Sequence, residues 1–175
     1  MARPDATDFP PYFSGYINKV KGNELQDAFT NNSVEIRDQL SCINEEQSSY
    51  SYSPGKWTIK ELLQHLIDAE RVFGYRAVCI ARGEKASLPS FDENGYARSS
   101  HANVRSWQSL LDEFLQLHRS TEQLFESFTG EMLAARGVTG DKQITVLSIG
   151  YIIIGHILHH LEILRSRYLV TEFLL

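Results

Sequence analysis

At 175 residues, 42% of them hydrophobic and 11% aromatic, the chain is the size of one domain and can bury a substantial core. A net charge of -5, with no basic cluster longer than Lys19-Val20-Lys21, leaves no footprint for a nucleic-acid backbone or an anionic membrane surface. Cys42 and Cys79 form no C-x-x-C pair and read as buried, reduced thiols of a cytoplasmic protein, and Met1-Ala2-Arg3-Pro4-Asp5 opens no apolar secretory signal.

Tyr12, Phe13, Tyr16, Ile17 and Val20 make a short helical patch that Lys21-Gly22 ends. From Asn23, which can cap, Leu25, Phe29, Ile36, Leu40 and Ile43 recur at four-, seven- and three-residue steps, predicting a one-sided helix over about residues 23–46. Tyr50 to Gly55 supplies turn chemistry, and Thr58-Ile59-Lys60-Glu61 reads as a capping box opening a second helix over about 58–83, with Leu62, Leu63, Leu66, Phe73, Ala77 and Ile80 inward. Between Gly83 and Val104 lies a polar connection far longer than most in compact domains. At about 3.3 Å per extended residue it can run the length of a bundle, letting a third helix lie parallel to the second. That third helix, about 104–128, follows Trp107, Leu111, Phe114, Phe125 and Phe128. Gly137 to Lys142 reads as a loop, after which Thr145 can cap a fourth helix over about 145–168. Its apolar run, Ile144 to Leu158, is shorter than a membrane span and predicts a core helix. The expectation is a single all-α domain over 1–175, a four-helix bundle with a long crossover between helices two and three.

The fourth helix carries Gly155-His156-Ile157-Leu158-His159-His160, which puts His156 and His160 one turn apart on one face. Neutral imidazole is the commonest protein ligand for zinc, nickel or iron, and two ligands call for a third. On the second helix His65 borders the stripe of Leu62, Leu66, Ala69 and Phe73, so its ring can point inward and complete the set. Burying polar nitrogens without partners costs on the order of 1 to 3 kcal/mol each, and a divalent ion satisfies all three rings at once. The same rings can instead hydrogen-bond within a metal-free core. Asp68, one turn beyond His65, can orient that ring or stay solvated, while Glu70, on another face, is expected in a salt bridge. His118 lies on the inward stripe of the third helix and is not assigned as a ligand, and His159 reads as a structural or interface residue. Tyr96, Arg98 and His101 can line the mouth of the site, and Arg76, Arg165 and Arg167 can bind a carboxylate cosubstrate or serve as helix-end charges.

The segment Pro54-Gly55-Lys56-Trp57-Thr58-Ile59-Lys60-Glu61, with His65 to Phe73 and Tyr75-Arg76-Ala77 after it, resembles the first signature of the DinB/YfiT-like superfamily. Leu88 to Tyr96 is similar to the loop that follows, and Tyr151 to Leu161, with its His-x-x-x-His, resembles the second signature. The resemblance implies a four-helix bundle with a long crossover, dimers in many members, and one divalent ion held by His65, His156 and His160. It also implies thiol-dependent transferase or isomerase chemistry, or metal-dependent hydrolysis, on a small-molecule substrate.

Three neutral imidazoles leave an ion its full charge and an open position, which lowers the pKa of a bound water to about 7 and equally favours a thiolate. Zinc is the first expectation, and imidazole ligation also suits nickel or iron. The functional expectation is therefore a metal-dependent enzyme that activates a low-molecular-weight thiol or water for attack on a small electrophile. A non-catalytic metal-binding or stress-related bundle is the alternative. Other chemistries lack their residues: Ile157 follows His156 where a zincin needs Glu, no Glu has a His three residues on, and there is no Gly-x-Ser-x-Gly elbow or P-loop.

Overall fold

A 3₁₀ turn, Pro11–Phe13, leads into α1, Ser14–Ile17, in a computed structural model that describes residues 2–169. The expected domain span of 1–175 thus exceeds the described residues at both ends. Helix α2, Leu25–Ser41, buries Leu25, Phe29, Ile36 and Leu40 as their spacing predicts. It starts behind Glu24, not Asn23, because the first intrahelical bond runs from the Ala28 amide to the Glu24 carbonyl (2.9 Å). It also stops short of residue 46, because Asn44 forms its own capping box with Gln47 and opens a separate single turn, α3, Glu45–Ser48. Cys42, past the last inward position of α2, is exposed and Cys79 is half-buried, so neither is the buried thiol expected.

Helix α4, Ile59–Ala81, opens on the predicted capping box: the Glu61 amide donates to Thr58 Oγ1 (3.1 Å) and the Thr58 amide to Glu61 Oε2 (2.8 Å). The long connection is partly ordered into α5, Glu93–Ser99, capped by Asp92, and a 3₁₀ turn, Ala102–Val104. Helix α6, Trp107–Glu126, begins only where Ser106 Oγ accepts the Ser109 amide (3.2 Å), and a short α7, Gly130–Ala134, follows it. The expected loop at 137–142 is instead a β-hairpin, β1 Arg136–Thr139 against β2 Lys142–Thr145, turning at Gly140-Asp141 with Gly140 at φ +61°. Leu88 of the crossover joins this hairpin through Leu88 N to Val138 O and Gly140 N to Leu88 O, both 2.9 Å, which anchors the long connection.

Helix α8, Val146–Ile163, is capped by Thr145 as expected, and every residue from Val146 to Leu158 is buried. A helix apolar all round belongs inside other elements, and α1, α2 and α4 all pack on this one. A π turn, Leu164–Tyr168, extends it, so the 23 residues Val146–Tyr168 reach membrane-spanning length, beyond the stretch read from sequence. With 78% of its most apolar window buried in the fold, it is the core helix of the bundle.

Residue pairs across the helices fix their directions. Gln64–Arg105 and Arg71–Glu113 rise together in number, so α4 and α6 run parallel, while Gln26–Glu126 and Ser33–His118 make α2 antiparallel to α6. Leu25 beside Gly150 and Glu35 beside Arg165 make α8 parallel to α2, and Trp57–Tyr168 with His65–His156 set α8 against α4. This is a four-helix bundle in which α2 and α8 run one way and α4 and α6 the other, with the crossover between α4 and α6.

Candidate metal centre

The antiparallel contact of α4 and α8 brings together the three histidines that sequence singled out. His65 and His156 are 3% and 7% exposed, and His160 is half-buried at the edge. His156 Nε2 lies 3.1 Å from His65 Nε2 and 3.1 Å from His160 Nε2, and the ligand atoms of all three lie within 4.8 Å of one another. Tetrahedral donors about 2.0–2.1 Å from an ion sit about 3.3 Å apart, close to both short separations.

Hydrogen bonding alone does not satisfy this cluster. A neutral imidazole Nε2 has one in-plane site, either a proton or a lone pair, yet His156 Nε2 faces two neighbours. Whichever tautomer it takes, at most one contact can be a good hydrogen bond, whereas a cation accepts three lone pairs at once. The rings are also held neutral. Burial drives the His65 pKa down to about 4, and burial reinforced by the neighbouring His65 and His159 drives His160 down to about 3. His156 falls well below the ordinary value for the same reasons, burial first, then its histidine neighbours. The donor set fits a divalent metal ion.

These shifts predict an acid-labile fold in metal-free protein. Between the ordinary value of 6.5 and about 4, the unfolded chain protonates His65 while the folded chain does not, so this stabilisation is complete above pH 6.5 and lost as pH falls through that window. The loss is on the order of 3 kcal/mol from His65 alone. Denaturation midpoints measured from pH 7 to pH 4.5 should fall steadily, with a smaller fall in His65→Phe.

Aromatic rings fix the triad from outside. Trp57 packs on His65 (centroids 4.9 Å apart), while Tyr16 and Phe73 sit edge-on to His156 at 5.4 and 6.1 Å. Tyr16 gets so close because α8 has Gly155 at the crossing with α1: a Cβ there would lie 2.2 Å from the Tyr16 carbonyl oxygen. On the side of His160 a cavity of about 260 Å³ opens between the turn before α4 and the end of α8, with Tyr52, Trp57, Tyr168 and Arg167 among its walls.

The remaining candidates are placed differently. Asp68 accepts a hydrogen bond from Gln64 Nε2 (2.9 Å), its i,i+4 partner on α4, and among the described residues no hydrogen bond joins it to the His65 ring. Burial raises its pKa, and it lines a second, smaller cavity with Tyr96, Ser99 and Ser100. Glu70 does form the expected ion pair, but in the core, with His118 Nδ1 at 3.1 and 3.2 Å. His159 packs on Tyr16 (5.2 Å). Arg98 meets Asp92 (3.8 Å), His101 sits at φ +52° in the crossover, and among the described residues that line the cavity beside His160 is Asn94 and neither of these two. Arg76 is buried on Pro89 O (2.6 Å) and Arg165 pairs with Glu35 (3.4 Å), which leaves Arg167 as the arginine at the cavity. The sequence gives no site role to Tyr52 or Tyr168, places Tyr16 only in the short helical patch, and includes Lys56 and Trp57 in the first signature without a role at the site.

Fold and triad together define a histidine-rich four-helix bundle with a crossover. The chain belongs to the DinB superfamily, whose family model matches residues 28–164. It is similar to "Putative metal-dependent hydrolase OB0413" of Oceanobacillus iheyensis, at 24% identity over 105 residues, 55% of this chain and 61% of that protein. The chain thus spans about three-fifths of the length of that curated relative. Among solved structures, YfiT from Bacillus subtilis, described as a probable metal-dependent hydrolase with an unusual four-helix bundle topology, aligns with a TM-score of 0.69 at 18% identity, covering 80% of this chain and 86% of that one. A mycothiol-dependent maleylpyruvate isomerase aligns with a TM-score of 0.64 at 11% identity, over 86% of this chain and 59% of the other. At these identities the structural likeness shows the shared fold.

Proposed function

We propose that this protein is a metal-dependent enzyme in which His65, His156 and His160 hold one divalent ion, and that it activates a low-molecular-weight thiol or water against a small electrophilic substrate. The observation that carries the reading is the convergence of three neutral imidazoles on one point, with His156 Nε2 facing two partners it cannot satisfy alone. The names of a curated relative, "Putative metal-dependent hydrolase OB0413", and of a structural neighbour, a mycothiol-dependent maleylpyruvate isomerase, support the same reading. Bound there, an ion supplies Lewis-acid activation, bringing the pKa of a water or thiol into the neutral range. Zinc is the first candidate for an all-imidazole set with an open position.

The chain's own residues account for the rest. His65 and His156, buried and neutral, are held by Trp57, Tyr16 and Phe73, so the donors are in place before any ligand arrives. His160 lines the cavity, so the triad borders a space that can admit a substrate. The cavity of about 260 Å³ suits a small molecule. The test is a panel of physiological thiols, and water alone, against small electrophiles and esters, run with zinc-supplemented wild type and His160→Ala. The reading predicts turnover that falls at least about a hundredfold in the variant, as losing a metal or its activated nucleophile does. Equal turnover by both proteins contradicts a metal-centred reaction.

A further inference from the structure

The chemistry of the cavity beside His160 extends beyond the triad. Among the described residues its walls carry two cations, Lys56 and Arg167, and no Asp or Glu, although the chain as a whole has 22 acidic against 17 basic residues. Most other surface cations are paired: Lys19 with Glu162, Lys21 and Arg165 with Glu35, Arg71 with Glu113. Among the described residues neither Lys56 nor Arg167 has a carboxylate partner. Glu61, whose charge is felt at Tyr168, is engaged in the capping box of α4 by the Thr58 amide (2.8 Å).

Arg167 is also held in position. Its Nη1 donates to Tyr52 Oη (3.3 Å), and its guanidinium lies over the Tyr52 ring, 5.6 Å from the centroid. Tyr52 in turn packs against Tyr168 (4.8 Å), whose hydroxyl donates to Trp57 O (2.8 Å) and stays protonated, its pKa pushed up to about 12, first by burial. The π turn delivers both Arg167 and Tyr168 to this wall, with Leu169 N bonding back to Leu164 O (3.0 Å). His160, Ile163 and Arg167 follow at three- and four-residue steps along one side of the cavity. Arg167 follows His160 by seven positions, about 10 Å along the axis.

We infer that this cavity selects substrates carrying an anionic group on a flat apolar body, with the anion held by Arg167 and Lys56 and the reacting end at His160. Tyr52, Trp57 and Tyr168 supply stacking faces between the two ends. Arg167, already oriented by Tyr52, offers a fork suited to a carboxylate or phosphonate, and Lys56 adds a second charge. The inference rests on the proposed metal centre for the reacting end only; the anion end is built from other residues.

The test uses benzoate as probe and benzamide as its neutral counterpart, titrated by calorimetry into zinc-loaded and chelator-stripped wild type, Arg167→Gln and Lys56→Gln. The expected result is benzoate binding in both metal states, tighter than benzamide, and weakened about tenfold by Arg167→Gln and severalfold by Lys56→Gln. Benzamide binding, zinc stoichiometry and melting temperature should be unchanged in the variants. Benzoate binding that requires zinc and ignores both substitutions overturns the inference, since the carboxylate then rests on the metal. So does no preference for benzoate over benzamide. Failure of the protein to take up zinc, with Arg167-dependent benzoate binding intact, removes the metal reading and leaves this one standing.

Discussion

Gly155→Ala is expected to lower the melting temperature by about 10 °C, whereas Gly74→Ala should raise it slightly. The added methyl at 155 would sit 2.2 Å from the Tyr16 carbonyl oxygen and 2.4 Å from its carbonyl carbon. Both are backbone atoms of α1, so no rotamer change relieves the clash and the two helices must separate. Overpacking of this kind costs about 3 kcal/mol, and each kcal/mol moves the melting point of a chain this size by about 2–4 °C. At Gly74 no described residue comes within 4 Å of where a Cβ would stand, and the position is inside α4, so alanine gains about 1 kcal/mol of helix propensity without a clash. Thermal unfolding of both variants checks the pair. The effect at 155 should reach the triad, because Tyr16 on the displaced helix is a wall of His156, centroid to centroid 5.4 Å. Equal, small shifts at both positions would contradict the close α1–α8 crossing.

The second large effect is expected from Glu70→Ala, which should destabilise the fold by about 3 kcal/mol, the scale for breaking a buried ion pair. Glu70 and His118 are 2% and 5% exposed, the ring lies between Phe114 and Phe29 (5.8 Å each), and Ser33 Oγ meets its other nitrogen at 3.4 Å. Burial lowers the His118 pKa, but the charge of Glu70 and the hydrogen bond to it outweigh that and raise it above the ordinary value of 6.5. A raised histidine contributes stability that is complete below pH 6.5 and lost as pH climbs through the folded-state pKa. The stability difference between wild type and Glu70→Gln, from denaturant titrations, should therefore be largest near pH 6 and shrink toward pH 9. The acid effect of the three clustered imidazoles is common to both proteins and cancels in the difference. A difference that grows with pH would mean His118 is not the charged partner.

The legible parts of this molecule were those with strong local signals. Thr58 and Glu61 announce the start of α4, the four-residue step from His156 to His160 fixes their shared face, and the length of the 83–104 connection gives the crossover its reach. The hairpin escapes the sequence because Gly137 to Lys142, with its Gly140-Asp141 turn, reads as loop punctuation, although Val138 and Ile144 flank the turn as short strands do. Helix α5 is only a turn or two long, and its stability comes from Asp92 and from packing on α4, which no periodicity reports. Burial of α8 on every side put the triad deeper than a one-faced helix implies. Asp68 shows the limit of spacing arguments: its place one turn beyond both His65 and Gln64 offers it to either, and it bonds to the Gln64 amide. Arg167 is legible from sequence as a carboxylate partner, but the cavity it shares with Lys56 joins segments as distant as Tyr52 and Tyr168, with Leu62 and Asn94 among its walls, and so exists only once α4 and α8 are packed.

An anomalous-scattering map from crystals of protein purified without chelator tests the central claim most directly. The account predicts one peak between α4 and α8, about 2.0–2.2 Å from the Nε2 atoms of His65, His156 and His160, with its unfilled side toward the cavity that holds Arg167. No peak there from protein supplied with zinc, or a peak bound by other side chains, would contradict it.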